Sequence, residues 1–435
     1  MLRGLIASIP HSKFRSVKEG MEEAGIQYGD DNQYSIIVWY DTLKDLDYFQ
    51  YLNPWQVVNR IPSIYVLCRK VPFAYLLARI RVYFPQEFSF APKTFILPEQ
   101  IESLKTAFTK SHSTFIIKPD AGSFGLGIYF LKPGENFSVR PEPAIAQEYI
   151  NSYTVDNRKF DLRLYALIAS VIPLSIYLYH DGLGRFCSED VNIDSNCARI
   201  TNVTMNRANP EMEISQISQL LSELFPRMKA EGIDIKSLWK RIEDAIGLTI
   251  ISAYPYLKAS TLFHCPSINN SYSRCFQILG FDILLDKNLQ PHVLEVNCRP
   301  SFDYYRGIER RMKVKMIQQA LQIAVPFSKA QEVLMSHKYG WTDKSWEMFI
   351  FDHPEIIKDF EKKREKALQL SNYSRIWPSD DPSRKIWKKI IKKLLDIPLY
   401  PIPGFRIPSG LTLKHYLPEN FFHEFNTDIE NEINN

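Results

Sequence analysis

Two carboxylates and an amide lie at alternate positions of two strand-like segments near residue 290. The stretch FDILLDKNLQPHVLEVN has the pattern of two strands joined by a DKNLQP turn, and we expect Leu284 to pair with Val293. That register places Asp282 opposite Glu295, with Asn297 two residues further along the same face. Oxygen ligands without histidine or cysteine suit Mg²⁺ rather than zinc, and paired carboxylates in apolar surroundings favour a cation between them. We therefore predict a magnesium site, with a solvated hairpin face as the alternative.

A glycine-rich stretch, FIIKPDAGSFGLG, covers residues 115–127. Its glycines, Gly122, Gly125 and Gly127, match neither GxxxxGK[ST] nor GxGxxG, and the following IYFLK has strand character. The stretch is therefore predicted to join two strands, with Lys118 at the end of the first. A hairpin of this kind covers a triphosphate with backbone N–H groups while the lysine neutralises charge. The alternative is a tight hairpin in which glycine only permits positive φ.

Charged residues recur on one face of the segment RKFDLRLYALIAS. Lys159, Asp161 and Arg163 alternate with apolar residues, which is typical of a two-faced strand. Arg185, in DGLGRF after the next strand, is expected to join them. Arginine binds carboxylate and phosphoryl groups through parallel hydrogen bonds, so this face has the chemistry of an anion site. Surface charge on an edge strand is the alternative.

The composition of the 435-residue chain, with 45% apolar and 23% charged residues, predicts two or three globular units. Its six cysteines and nine histidines lack the spacings of metal sites, so we expect free thiols in a reducing compartment. The most apolar run, 164–179, is interrupted by Pro173 and is shorter than the roughly 20 residues of a membrane helix. It predicts two strands, and we expect a soluble chain.

Positive charge is concentrated near the C-terminal end. Residues 358–395 contain twelve Lys or Arg against five Asp or Glu, a net charge of +7 in a chain whose total is +4. Within this segment RKIWKKIIKKLL predicts an amphipathic helix with its lysines outward and its apolar stripe on the body, formed by Ile386, Trp387, Ile390, Ile391, Leu394 and Leu395. Such a segment suits a polyanionic partner, with nucleic acid or a membrane surface as alternatives.

Strands and helices are grouped rather than strictly alternating, which favours an α+β fold. SVKEGMEEAGI predicts a helix ending at Gly25, YSIIVWY a strand, and LCRKVPFAYLLARIRVYFP one apolar helix ending near Pro85. Strands dominate from residue 91, and two helices are expected within 213–254. Domain boundaries are predicted near 90, 150 and 327, and a charged, mostly helical extension follows.

Several of these stretches occur in the order found in one enzyme family. KPDAGSFGLGI, AQEYI, KFDLRLYALIAS, ITNVTMNR and LGFDILLDKNLQPHVLEVNCRPSF resemble tubulin tyrosine ligase-like enzymes, and LCRK matches an upstream family motif. These enzymes are ATP-grasp amide ligases that modify tubulin tails. The resemblance implies an α+β ATP-grasp fold with the nucleotide between a central and a C-terminal sheet. The implied units are an N-terminal domain at 1–90, a central domain at 91–148, a C-terminal domain at 149–326 and a helical basic extension at 327–435.

The resemblance also assigns a nucleotide site. Two lysines match residues that contact the phosphates, and residues 147–150 match the hinge that lies against adenine. The residues implied to hold ATP are Lys70, Lys118, Gly122, Ser123, Gly125, Leu126, Gly127, Ile128, Gln147, Glu148, Tyr149, Ile150, Lys159, Asp161, Thr201 and Asn202. Asn206 matches a polar residue that lines the same cleft.

The implied catalytic residues are Lys159, Arg163 and Arg185, which match residues that hold the acceptor carboxylate, the acyl phosphate and the incoming amino acid. The implied Mg²⁺ ligands are Asp282, Glu295 and Asn297, the set that the hairpin pattern indicates independently. In the family, a carboxylate attacks the γ-phosphate of ATP to give an acyl phosphate, and an amino-acid amine then displaces phosphate. The cofactors implied are therefore ATP and Mg²⁺.

The branch is indicated by EKKREKALQLSNYSRIWPSDDP and by PSF after the metal hairpin, which resemble polyglutamylases. That resemblance implies ligation of free glutamate to acidic tubulin tails by a cytoplasmic, cytoskeletal monomer, with cilium, flagellum or basal body as narrower locations. Neither nucleic acid nor membrane is expected as a partner. The alternatives are a glycine or tyrosine ligase, a glutamylase of another acidic protein, and an inactive microtubule-binding relative.

Five positions depart from the family pattern. Leu126 stands where a charged residue is usual, Arg199 where a histidine is usual, and Arg207 where a lysine is usual. Cys298 and Arg299 follow Asn297 where small or polar residues are commoner, which leaves acceptor choice open. Because no metal ligand or core lysine is lost, we expect an active enzyme.

Overall fold

The computed structural model describes most of the chain up to residue 402. The described residues are 4–10, 12–29, 33–42, 46–120, 126–207, 209, 212–265, 272–325, 328–336, 341–397, 399 and 402. Within them the protein is a mixed α/β fold with three separate sheets, in keeping with the predicted combination of strands and helices. All residues from 403 onward lie outside the described residues.

The first sheet is small and parallel, in the order β2-β1-β3-β4. Its strands and the helix between the first two are β1 (Ile6–Ser8), α1 (Arg15–Ala24), β2 (Gln27–Gly29), β3 (Ile37–Val38) and β4 (Val57–Val58). The predicted end of the first helix is confirmed, because Gly25 adopts the left-handed φ of 78° that closes α1. The predicted YSIIVWY strand is confirmed only at its centre, as β3.

The apolar helix predicted over LCRKVPFAYLLARIRVYFP is two helices, α2 (Tyr65–Cys68) and α3 (Lys70–Arg81). Arg69 separates them with extended backbone angles, φ −89° and ψ 137°. The prediction of one helix was wrong at this position because the apolar pattern continues across the break. The break places Lys70 at the first turn of α3.

The second sheet is antiparallel, in the order β5-β8-β6-β7. It is built from β5 (Thr94–Leu97), α4 (Ile101–Ser111), β6 (Phe115–Pro119), β7 (Tyr129–Leu131) and β8 (Ala144–Glu148). Its small core includes Leu97, Leu104 and Phe115, against which α4 packs. The glycine-rich stretch connects β6 to β7, so the predicted strand-to-strand placement is confirmed, with Lys118 near the end of β6.

The third sheet is the largest, in the order β12-β11-β10-β13-β14, with β9 paired to β10. Its long hairpin confirms the predicted strand pair around Pro173. The elements of this region are β9 (Thr154–Val155), β10 (Arg158–Val171), β11 (Leu174–Phe186), α5 (Asn196–Arg199), α6 (Val203–Asn206), α7 (Ile214–Ile217), β12 (Ser218–Leu220), α8 (Leu221–Ala230), α9 (Ile235–His264), β13 (Gln277–Leu285), β14 (Pro291–Asn297) and α10 (Gly307–Ala324).

Alternate residues of β10 face two different cores. Leu162 and Leu164 pack in the core that α9 covers, whereas Tyr165 and Leu167 pack in the core beneath α10. The period-two pattern thus buries both faces of the sheet. The face that holds Tyr165 is continued toward the start of β10 by Arg163, Asp161 and Lys159, as the sequence predicted.

The hairpin β13–β14 confirms one predicted pair and corrects another. Asp282 lies opposite Glu295. Beyond this pair the register shifts, so Val293 pairs with Ile283 rather than with Leu284 as expected. The physical reason is a bulge, in which one strand carries an extra residue and the ladder slips by one.

The C-terminal segment packs on the large sheet from both sides. It contains α11 (Ser328–Ser336), α12 (Asp343–Asp352), α13 (Pro354–Gln369), β15 (Tyr373–Trp377) and α14 (Lys385–Asp396). β15 pairs with the outer edge of β11, so this segment adds a strand to the sheet. α13 packs beside α10 in one core, and α14 packs beside α9 in the other. The two basic helices therefore lie on opposite faces of the sheet.

The predicted apolar stripe of α14 is confirmed. Trp387, Ile390 and Ile391 are at most 2% exposed, and Trp387 stacks on Trp377 with 5.9 Å between the ring centroids. Gly247 in α9 provides the space, since a Cβ there would lie 2.4 Å from the Trp387 ring. The lysines of α14 lie on the solvent side or at its margin. Among the described helices, none combines the length and apolar character that crossing a membrane requires.

Replacing Trp387 with alanine should show that α14 is part of the fold. Trp387→Ala leaves a cavity against α9 and should lower the free energy of unfolding by about 3–5 kcal/mol. Lys389→Ala on the exposed face of the same helix is the control and should change it by less than about 0.5 kcal/mol. Urea denaturation of both variants measures the difference, and equal, small effects would contradict the docking of α14.

Candidate active site

Asp282, Glu295 and Asn297 meet at the open end of the β13–β14 hairpin. The Asn297 amide donates to a Glu295 oxygen at 3.3 Å and lies 3.5 Å from an Asp282 oxygen. Burial, and then the neighbouring Asp282 charge, raise the pKa of Glu295 above its usual value. The predicted convergence of these three side chains is therefore present, and the repulsion between the two carboxylates is what a bound cation would relieve.

Two arginines hold Asp282 from the side of β10 and β11. Arg163 donates to both Asp282 oxygens at 2.5 and 3.0 Å, and Arg185 contacts one of them at 2.8 Å. Although burial opposes ionisation of Asp282, the two guanidinium groups outweigh it and hold its pKa well below the usual range. Asp282 is thus an anion that both arginines fix in place.

Arg185 also binds a second carboxylate, that of Asp161. Its Nε and Nη2 groups donate to the two Asp161 oxygens at 2.6 and 2.7 Å, and the Thr201 hydroxyl donates to the same carboxylate. Asp161 is 2% exposed and Thr201 is 7% exposed. Asp161 therefore orients Arg185, while its assignment to the nucleotide remains a prediction.

The segment after Thr201 is fixed by two asparagines. Asn202 caps α6, accepting from the Met205 N–H at 3.2 Å. Asn206 is fully buried, accepts from the Ser188 N–H at 2.7 Å and donates to the Ile200 and Asn202 carbonyls. Asn206 thus ties the ITNVTMNR stretch to Ser188, just after the end of β11, and its place in the lining of the cleft stays a prediction.

Two predicted lysines are buried near these groups. Lys118 donates to the Gln147 side chain at 2.7 Å, and the Lys159 ammonium lies 4.1 Å from the centroid of the Tyr149 ring. Burial lowers the pKa of Lys118 to about 8 and that of Lys159 to about 8. The neighbouring charge of Lys70 also lowers the pKa of Lys118, so the two predicted phosphate lysines lie within electrostatic reach of each other.

A cavity of about 210 Å³ lies between α3, the second sheet and β14. Its polar walls include Lys70, Lys93, Gln147 and Glu295, and its apolar walls include Phe73, Ile145 and Val293. An apolar pocket with a few convergent polar groups is typical of small-molecule sites. The cavity thus connects one predicted phosphate lysine, the first hinge residue and one predicted metal ligand.

Among the described residues, the other predicted nucleotide residues of the glycine-rich stretch and the hinge do not line this cavity. Gly122, Ser123 and Gly125 belong to 121–125, outside the described residues. Leu126 is 72% exposed, and Ile128 is half-buried. Gly127 has φ 75°, and a Cβ there would lie 3.0 Å from the Pro119 ring, so any other residue would be strained at this position. In the hinge, Ile150 is half-buried and Glu148 accepts from the Ser113 hydroxyl at 2.7 Å.

The departures at Arg199, Arg207 and Cys298 have partners within the described chain, whereas Leu126 is exposed. Arg199 pairs with Asp194 at 2.9 Å and covers the Phe130 ring. Arg207 lies 4.4 Å from the centroid of the Tyr305 ring. The Cys298 thiol lies against that of Cys68, and this contact, followed by the charge of Arg60, lowers the pKa of Cys298.

Sequence reasoning missed Arg69 and Asp120, which pair with each other at the edge of the cavity. Both residues lie in stretches that resemble the family, Arg69 in LCRK and Asp120 in KPDAGSFGLGI, but neither stretch indicates that the two side chains pair. The partner lies 51 residues away in the sequence, so spacing gave no indication of the pair.

Residues 49–333, which contain the acidic hairpin, the arginine strand and the buried lysines, match the model of the tubulin-tyrosine ligase family. The chain belongs to this family, which confirms the resemblance found in the sequence.

Its curated relatives include tubulin polyglutamylases. The chain is 33% identical to tubulin polyglutamylase TTLL6 of Mus musculus over 73% of this chain and 40% of the relative. It is 32% identical to a probable beta-tubulin polyglutamylase of Tetrahymena thermophila over 79% of this chain and 31% of the relative. It is 31% identical to tubulin polyglutamylase TTLL11 of Mus musculus over 71% of this chain and 49% of the relative. The chain thus spans less than half the length of these relatives.

The burial of Lys118 predicts a pH-dependent stability. Folding lowers the pKa of Lys118 to about 8, below the ordinary 10.5, so the unfolded chain binds this proton more tightly. The free-energy cost of burying the charged Lys118 is fully present below pH 8. It disappears as the pH rises toward 10.5, the ordinary pKa of lysine in the unfolded chain. From about pH 8 to about pH 9.5, wild type should gain about 2 kcal/mol of unfolding free energy relative to Lys118→Met.

Denaturation of both proteins across this pH range measures the effect. Lys389→Met, at an exposed lysine, is the matched control and should run parallel to wild type. Parallel curves for Lys118→Met would contradict the lowered pKa.

Proposed function

We propose that the chain is a tubulin polyglutamylase, which ligates glutamate to glutamate side chains of tubulin tails with ATP and Mg²⁺. The observation that carries the proposal is the meeting of Asp282, Glu295 and Asn297 with Arg163 and Arg185 beside the lysine-lined cavity. The polyglutamylase relatives supply the substrate class. In this proposal the second and third sheets are the central and C-terminal parts of an ATP-grasp fold, with the nucleotide between them.

The residues present fit a magnesium ion. Glu295 and Asn297 offer hard oxygen atoms, and Asp282 is held as an anion. The raised pKa of Glu295 marks a carboxylate whose charge the surrounding protein does not fully balance. Bound Mg²⁺ would neutralise phosphate charge. Glu295 and Asn297 would hold it directly, and Asp282 would share its carboxylate between the metal and the arginines.

Lys70 and Lys118 are assigned to the phosphate chain, and residues 147–150 to the adenine. A lysine kept in a buried position binds an entering polyphosphate strongly because little water competes for it. In the cavity, Gln147 offers its amide beside apolar walls, which suits a flat heteroaromatic ring. The exposed Leu126 stands where the family usually carries a charged residue, and we assign the lost contact to the tubulin tail or to the phosphates.

Lys159, Arg163 and Arg185 are assigned to the reacting groups. The described bonds use the Nε and Nη2 groups of both arginines, so their Nη1 groups are the ones we assign to the substrate. The acceptor carboxylate attacks the γ-phosphate of ATP, which releases ADP and forms an acyl phosphate, and the glutamate amine then displaces phosphate to form the amide. Fixed cations that stabilise the developing negative charge supply most of the rate enhancement in such transfers.

We further propose that α14 is the surface that attracts the acidic tails. It carries five lysines and one aspartate, whereas α13 carries five basic and four acidic residues. Since α13 and α14 lie on opposite faces of the sheet, only one of them can face the microtubule at a time. This assignment supports a cytoskeletal location, as the names of the relatives do.

Glutamate transfer to microtubules tests the proposal. Incubation with ATP, Mg²⁺ and labelled glutamate should leave label on tubulin, and Glu295→Gln should reduce the rate about 100-fold or more by removing a metal ligand. Glu102→Gln, on the exposed first turn of α4, is the control. Failure to transfer any amino acid to tubulin or to another acidic protein would refute the ligase assignment.

Parallel assays with glycine and tyrosine decide between the sister activities. An inactive microtubule-binding relative is the alternative suggested by Leu126 and Arg207. Tight Mg·ATP binding that Glu295→Gln weakens would contradict that alternative.

Charge reversal on the two basic helices tests the tail-binding surface. Lys385, Lys389 and Lys392 are exposed on α14, and changing all three to glutamate should weaken microtubule binding about tenfold at low salt. The same change at Lys358, Lys362 and Lys366 of α13 should alter binding less than about twofold. Co-sedimentation at two salt concentrations measures both, and a larger effect at α13 would reverse the assignment. Charge reversal keeps β15 in place, which deletion of 358–395 would not.

A further inference from the structure

Asp120 links the second sheet to the helix that carries Lys70. It follows β6 directly, its side chain is 5% exposed, and its N–H donates to the Pro143 carbonyl at 3.0 Å. One carboxylate oxygen accepts from the Val71 N–H at 2.9 Å, and the other from the Arg69 guanidinium. Lys70 thus lies between two residues that are both bound to Asp120.

The contact with Val71 caps α3 from outside the helix. Arg69 stands at the N-cap position without any capping hydrogen bond from its side chain, and the first turn of α3 contains no acidic residue. The first N–H groups of a helix lack partners within the helix, and an anion there is favourable. Asp120 supplies this anion from another sheet, so it fixes where α3 begins and in which direction Lys70 leaves it.

The same residue marks the root of the glycine-rich stretch. Lys118 lies two residues before Asp120, on the strand that Asp120 ends. At the far end of the stretch, Gly127 approaches the Pro119 ring so closely that a Cβ would lie 3.0 Å from it. Both ends of the stretch therefore meet at the position that Asp120 ties to α3, and Arg69 and Lys70 line the cavity beside it.

We propose that Asp120, together with Arg69, is a positioning residue that sets the spacing of Lys70 and Lys118 for the phosphate chain of a nucleoside triphosphate. This inference rests on the proposed nucleotide site, and it adds a residue pair that acts through the placement of Lys70 and Lys118. Without Asp120, Lys70 and Lys118 would remain in the chain, but the start of α3 would lose its hydrogen bond and ion pair to the residue that follows β6.

The affinities for a nucleoside triphosphate analogue and for a nucleoside, which has no phosphates, are compared to test the proposal. In wild type, Mg·AMP-PNP should bind much more tightly than adenosine. Asp120→Ala should weaken Mg·AMP-PNP about tenfold and leave adenosine affinity within about twofold, because only the phosphate lysines lose their spacing. Asp120→Asn keeps an acceptor oxygen for Val71 and should recover part of the affinity, whereas Arg69→Gln should lose only the contribution of the ion pair.

The matched control is Asp234→Ala, which removes an N-cap of a different helix, α9. It should lower thermal stability without changing the affinity for Mg·AMP-PNP or for adenosine. If Asp120→Ala weakens the binding of Mg·AMP-PNP and of adenosine equally, or weakens neither, the positioning role is refuted and Asp120 has at most a structural role. If Asp120→Ala does not fold, Asp120→Asn and Arg69→Gln decide by the same comparison. Failure of wild type to bind Mg·AMP-PNP would instead refute the nucleotide site itself, and the positioning proposal with it.

Discussion

The buried network of Asp161, Arg185, Asp282 and Arg163 is the constraint on which the rest of the site depends. Asp161 is the cross-strand neighbour of Arg185, and Arg163 that of Asp282, so three strands must hold their register for the four charges to meet. Two carboxylates and two guanidinium groups balance one another, and a buried network of this kind is strongly destabilised when one member is left unpaired. Glu295 stands outside this balance. The network therefore fixes the arginines and, through Asp282, leaves one carboxylate available for a cation.

Much of this centre follows from local periodicity. The alternation of Lys159, Asp161 and Arg163 places them on one strand face, and the same rule brings Glu295 and Asn297 together. The expected pairing of Leu284 with Val293 was wrong because a bulge is a local slip that an alternating pattern does not reveal. The break at Arg69 was missed for a related reason, since the apolar pattern on both sides is that of one helix.

Long-range relations were beyond the reach of spacing. The contact of Asp120 with Val71 joins residues 49 apart, and neither neighbourhood indicates the other. The +7 segment was correctly predicted to contain an amphipathic helix. Its charge, however, is divided between two faces, because β15 crosses the sheet edge between α13 and α14. Which face a helix covers depends on the sheet it packs against, and the helix sequence does not specify it.

The pairing of β15 with β11 means that the family match and the folding unit differ in extent. The match ends at residue 333, but the strand that covers the upper part of the β11 edge lies at 373–377, while β12 covers the lower part. A fragment cut at the end of the match would leave Ile176–Tyr179 with unpaired backbone groups at a sheet edge. Such an edge pairs readily with other chains, so the segment after the match protects the sheet against aggregation.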